Sequence, residues 1–148
     1  MERKQTAMML AIALAWLAVL ILGWNGAWLI AMVLSVFLML GHMVLGATHN
    51  GKLDAGFLAY PLLTWTALWV ASFLLSAYYA EAFRGKVPDF TILGFHPSFA
   101  WTIITYWIGG IASLSVGLYA MRDRWLSEAD WETFKSDIAA IKAQGGQA

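Results

Sequence analysis

Three histidines, His42, His49 and His96, are the residues of this chain best suited to hold a metal ion or a haem. Two imidazoles on neighbouring helices can ligate a b-type haem. His42 and His49 are seven residues apart, which places them on one face of a single helix. His96 belongs to a later segment that begins on the other side of the apolar layer, so the three cannot share a site. No second ligand stands on another segment at matching depth. The expectation is therefore no bound cofactor and no metal, with His42 a packing or interface residue. With no cysteine present, disulfides, thiol redox chemistry and cysteine-ligated clusters are excluded from this chain.

A second source of chemistry is oxygen. Ser35, Thr64, Thr66, Ser72, Ser76, Thr102, Thr105, Ser113 and Ser115 lie in apolar surroundings and suffice in number for a neutral sodium site. In apolar helices such hydroxyls usually bond a preceding carbonyl or a neighbouring helix instead. Ionisable groups within membrane segments mark proton relays and ion pathways, and the apolar segments contain no Asp, Glu, Lys or Arg. No catalytic residue is assigned, and a stand-alone proton-coupled transporter is disfavoured.

The elements that carry these groups follow from the charge pattern. Between Lys4 and Lys52 run 47 residues without a formal charge, and further charge-free runs cover 26 residues from Ala55 to Ala80 and 32 from Phe90 to Met121. A bilayer core of roughly 30 Å takes about 20 apolar residues per helix, so the first run must fold back once. Gly23-Trp24-Asn25-Gly26 supplies the turn. The expected fold is an all-α membrane protein. It is a four-transmembrane-helix bundle (residues 1–121, spans about 7–23, 27–47, 55–80 and 98–121) followed by a short cytoplasmic amphipathic helix and a disordered tail in 122–148. Pro61 predicts a kink or late start in the third span, and Pro97 marks the entry to the fourth. The start at Glu2, Arg3 and Lys4 and the long apolar run after it read as a retained span rather than a cleaved signal.

Composition agrees: 61% hydrophobic and 12% charged residues, with mean hydropathy +0.67, leave too little polar surface for a water-soluble globule. A formal net charge of zero argues against nucleic acid as a partner. With the N-terminus cytoplasmic, that side holds Arg3, Lys4, Lys52, Arg122, Arg124, Lys135 and Lys142, against Arg84 and Lys86 opposite. Both termini are expected on the cytoplasmic side of the inner membrane.

Small residues at four-residue spacing are the most specific packing signal. Gly109, Ser113 and Gly117 form such a stripe on the fourth span, Ala7, Ala11 and Ala15 on the first, and Ala27, Ala31 and Ser35 on the second. The stripes either mate within the bundle or meet an external partner. In the partner reading, Gly109→Leu or Gly117→Leu weakens association without unfolding the spans. Of nine tryptophans, Trp24, Trp28, Trp101, Trp125 and Trp131 suit the interfaces, while Trp16, Trp65, Trp69 and Trp107 fall deeper. Ser127-x-x-Asp130 reads as a helix-capping box. After it Trp131, Phe134, Ile138 and Ile141 recur at three- and four-residue spacing, as on a helix that rests on headgroups or docks another subunit.

The segment from Thr91 to Trp125 resembles the last span of the small subunits that accompany bacterial sodium:solute symporters. The matching positions are Gly94, Phe95, Pro97, Phe99, Trp101, Gly109, Tyr119 and Met121, with His96 interrupting the family's Gly-Phe-Pro entry. Those subunits usually have two spans, so the first two here are additional. The resemblance implies a non-catalytic accessory subunit of a cytoplasmic-membrane transporter that contributes to assembly or stability. Its partner surfaces would be Gly109, Ser113 and Gly117 together with Trp131, Phe134 and Ile138. Two other classes fit the residues: a subunit of a membrane redox complex that shapes a quinone or haem pocket, and a homo-oligomeric small channel or lipid-binding module.

Overall fold

The structure, a computed structural model, describes residues 2–48, 52–124 and 126–145. The described chain is helical: α1 (Glu2–Trp24), α2 (Trp28–Ala47), α3 (Ala55–Ala82), α4 (Pro97–Ala120) and α5 (Glu128–Gly145). Four of these, Thr6–Trp24 within α1 and all of α2, α3 and α4, are long and apolar enough to cross a membrane. The turn between α1 and α2 forms where Gly26 takes a positive φ of 78° and the Asn25 side-chain amide donates to the Ile21 carbonyl at 2.7 Å.

The helices pack in chain order as an open row. α1 lies chiefly against α2, α2 against α3 and α3 against α4. A closed four-helix bundle would also pack the first helix against the last. Here α3 sits at the centre, and it holds the largest buried side chain, Trp65, at 1% exposure. The α1–α2 seam consists of the half-buried Met8, Ile12, Ala15, Val19 and Leu22 of α1, spaced alternately by four and three. Gly41 of α2 makes room for Ile12, whose Cδ1 lies 3.3 Å from where a Cβ on that glycine would stand. Ala7 and Ala11 of the expected alanine stripe are exposed, so only Ala15 of that stripe enters the seam.

α3 breaks at its proline. Tyr60 has extended backbone angles (φ −136°, ψ 116°) ahead of a cis Tyr60–Pro61 peptide, as the steric demand of proline on its predecessor requires. The Thr64 hydroxyl donates to the Ala59 carbonyl at 3.1 Å, supplying one of the bonds that such a break makes scarce in apolar surroundings.

Asp54 caps the start of α3, accepting from the Phe57 amide at 2.8 Å, and pairs with Arg124 beyond the end of α4 at 3.0 Å. The Phe57 amide first, and the Arg124 guanidinium second, hold the Asp54 carboxyl below its usual value. A carboxyl depressed in the fold adds stability at pH above the unfolded value of about 3.9, and that contribution vanishes as pH falls through the folded value. Protection of the Phe57 amide, its exchange taken relative to the intrinsic rate at each pH, is therefore expected to fall on acidification through the carboxylate range. In Asp54→Asn that pH-dependent fall should disappear; an unchanged protection profile in that variant would show the cap has no such role.

At the other end, the connection 83–96 between α3 and α4 forms an aromatic cluster with the end of α3. Tyr79 stacks on Phe83 at 6.4 Å, Phe90 stands edge-on to both at 6.1 and 5.7 Å, and His96 is edge-on to Phe83 at 5.8 Å. Ile92 and Phe95 exchange backbone hydrogen bonds around a turn in which Leu93 and Gly94 both have positive φ. His96 is the N-cap of α4: its Nδ1 accepts from the Ser98 amide at 3.2 Å. Pro97 occupies the first helical turn.

The expected capping box of α5 is present. The Asp130 carboxylate accepts from the Ser127 amide and hydroxyl at 3.1 and 2.6 Å, and Ser127 Oγ accepts from the Asp130 amide at 3.2 Å. The helix continues through Gly145, which the sequence places in the tail. The expectations for His49, for Trp125 and for the last three residues of the tail lie outside the described residues.

Candidate functional site

α4 is not a uniform α-helix. Two stretches, Thr102–Ile108 and Ile111–Ser115, are π-helical. A π-turn admits an extra residue, so it rotates everything beyond it relative to a 3.6-residue repeat. The buried positions show this: Ala100, Thr105 and Gly110 recur at intervals of five before Ser113 and Gly117 resume the interval of four. The stripe read at constant spacing therefore needs correction at one end. Gly110 takes the buried place, and Gly109 is half-buried beside it.

This face of α4 meets α3. A Cβ on Gly117 would stand 2.5 Å from Pro61 Cβ, one on Gly110 3.0 Å from Trp69 Nε1, and one on Gly109 3.0 Å from Leu68 Cδ1. Gly109, Ser113 and Gly117 thus seat α3 of the same chain. Leucine at Gly109 or Gly117 is therefore expected to disturb the chain's own fold as well as any association.

The α3 side of the seam is aromatic. Trp65 and Trp69 lie with ring centroids 4.5 Å apart, Trp69 stacks on Tyr106 of α4 at 3.9 Å, and Phe73 tilts against Tyr106 at 6.1 Å. The small residues of α4 give these rings their space, and the rings supply the dispersion that replaces the hydrophobic force absent between lipid-embedded helices. Trp16 and Trp107, also expected at depth, are half-exposed; Trp107 borders the groove beside Trp65 and Trp69 and stands edge-on to Phe99 at 6.5 Å.

Polar side chains tie the same seam. Tyr60 donates its hydroxyl to the Ala112 carbonyl, in the second π-stretch, at 2.7 Å. Ser76 Oγ donates to the Ser98 carbonyl at 2.8 Å and lies 3.1 Å from Thr102 Oγ1. Thr66, Thr105, Ser113 and Ser35 donate to carbonyls of their own helices at 2.6–2.9 Å. Most of the candidate sodium-ligating oxygens are therefore used singly, along different helices, and do not converge. Ser72 Oγ, Trp69 Nε1 and Trp101 Nε1 are buried without a hydrogen-bond partner.

The two described histidines do not meet. His42 Nδ1 donates to the Leu38 carbonyl at 2.9 Å near the end of α2 that leads to α3, whereas His96 caps α4 beside the α3–α4 connection. Among the described residues no three His, Asp or Glu side chains gather into a metal site. The concave surfaces are apolar. One groove of about 280 Å³ lies between Met43, Ala47, Phe57, Leu62, Leu114 and Leu118. Another of about 550 Å³ is bordered by Trp28, Met32, Phe73, Ser76, Thr102 and Tyr106.

On α5, Trp131, Phe134, Ile138 and Ile141 are all exposed, with Trp131 and Phe134 stacked at 5.5 Å. Their periodicity was legible; the π-turns of α4 and the aromatic seam were not, because no residue type demands a π-turn. The chain matches no family model, no curated protein and no solved structure.

Proposed function

We propose that the chain is embedded in the cytoplasmic membrane with both termini cytoplasmic, as a non-catalytic accessory subunit of a larger transporter, of the sodium:solute symporter kind. The observation that carries this reading is the use of the polar groups in the spans. They hold helices to themselves or to one another, no charged side chain accompanies them within the charge-free runs, and where oxygens do meet, at Ser76, the Ser98 carbonyl and Thr102, they bond one another as a tie between α3 and α4. A membrane chain with that inventory is equipped to pack rather than to couple an ion or turn over a substrate. The open row supports the subunit role, because its ends are not closed against each other and either flank of the row is free to lie along another membrane protein. The resemblance of residues 91–125 to small symporter subunits supplies the kind of partner.

The test is isolation from native membranes directly into lipid nanodiscs, without detergent. A larger multispanning chain is expected to accompany this one in fixed proportion. Recovery of this polypeptide alone, under conditions that keep other membrane complexes intact, would contradict the proposal.

A further inference from the structure

α5 carries a second regularity, in its charges. Trp131, Phe134, Ile138 and Ile141 are separated by three, four and three residues, the a and d positions of a coiled-coil heptad. In that register Asp130 and Asp137 take the g positions, and Lys135 and Lys142 take the e positions. The apolar stripe therefore has one acidic edge and one basic edge. Glu128 precedes the first full heptad and has no g counterpart within the helix.

Two candidate surfaces compete for this stripe. Helices that lie on anionic headgroups are rich in Lys and Arg, whereas α5 has four acids, Glu128, Asp130, Glu132 and Asp137, against two lysines. The cytoplasmic leaflet would repel it on balance. A second α5 is complementary. In a parallel, in-register pair each g side chain faces the e side chain of the next heptad on the other helix, so Asp137 meets Lys142 of the second copy and Asp130 is set toward its Lys135. Asp130 already serves the Ser127 cap, which makes Asp137–Lys142 the pair that reports the contact. Antiparallel pairing would set aspartate against aspartate and lysine against lysine.

We infer that α5 is a self-pairing helix, through which two copies of this chain associate as a parallel two-stranded coiled coil along Trp131–Ile141. The membrane favours this geometry, because copies inserted with one topology present α5 on one face and in one sense. It also offsets the shortness of the helix. Eighteen residues span about 27 Å, which is marginal for a free coiled coil, but confinement to the same bilayer raises the effective concentration of one α5 for another. The inference does not depend on a transporter partner and stands or falls separately from it.

The chain contains no cysteine, so single introduced cysteines report without background. In the full-length protein in membrane vesicles, Phe134→Cys, Ile138→Cys and Ile141→Cys are each expected to form a disulfide-linked dimer under mild oxidation. Their rates should be at least about fivefold above those of Thr133→Cys and Ala140→Cys on the opposite face, since disulfide geometry demands close, facing Cβ atoms. Asp137→Lys should slow the Ile138→Cys reaction, and adding Lys142→Asp should restore it. Equal rates on both faces, or no dimer at any position, would overturn the inference. So would cross-linking only in mixtures of Phe134→Cys with Ile141→Cys, or indifference to the charge reversal.

Discussion

Trp65→Ala is expected to destabilise the assembled spans by about 3 kcal/mol, the low end of the range for truncating a buried large aromatic. The low end applies because lipid is as apolar as the site, so the transfer contribution fades and the cavity with its lost dispersion contacts remains. Trp65 is 1% exposed at the centre of the row and touches Trp69, which in turn stacks on Tyr106 across the α3–α4 seam. The loss therefore acts at the junction that holds α4. Unfolding of the purified protein in mixed micelles, followed by tryptophan emission and helicity, measures it. Trp16→Ala and Trp107→Ala, at half-exposed positions, serve as controls expected to change stability by less than about 0.5 kcal/mol. Equal effects at all three positions would mean that the seam is not the core.

Gly117→Leu is expected to cost about 2–3 kcal/mol, the upper part of the overpacking range. The first atom of the new side chain would stand 2.5 Å from Pro61 Cβ and 3.0 Å from its Cγ, and a proline ring fixed in the backbone cannot swing aside. α3 and α4 must then separate, which also pulls Tyr60 from the Ala112 carbonyl. Gly46→Leu, where an added Cβ would meet nothing within 4 Å, should leave stability nearly unchanged. Proteolysis of the α3–α4 connection in vesicles distinguishes the two: faster cleavage is expected in Gly117→Leu only. Wild-type stability of Gly117→Leu would return that glycine to the role of an external contact.

The four apolar helices were legible in the sequence because hydrocarbon tolerates neither charge nor unpaired backbone, so the charges and turn formers mark where spans end. Gly26, Pro61 and Pro97 did what their covalent structures require. The Ser127–Asp130 cap was equally readable, being a local exchange of hydrogen bonds between residues three apart. What escaped depends on tertiary context. Gly109 and Gly110 are adjacent glycines, and which of them is the more deeply buried against α3 is decided by the π-helical stretch before them, not by their own chemistry. Likewise Ala7 and Ala11 offer as good a small-residue stripe as any, yet α1 turns its larger Met8, Ile12 and Val19 toward α2. The Tyr60 hydroxyl, whose partner lies 52 residues away, gives no sign of it in the sequence.

On the proposed reading, spans whose hydroxyls mostly bond carbonyls of their own or neighbouring helices do not by themselves couple an ion gradient to a solute. Reconstitution of the purified chain by itself into liposomes, with sodium and proton gradients imposed in turn and solute uptake followed, tests this most directly. No gradient-driven accumulation above that of empty liposomes is expected. Sustained uptake that collapses when the gradient is dissipated would contradict it.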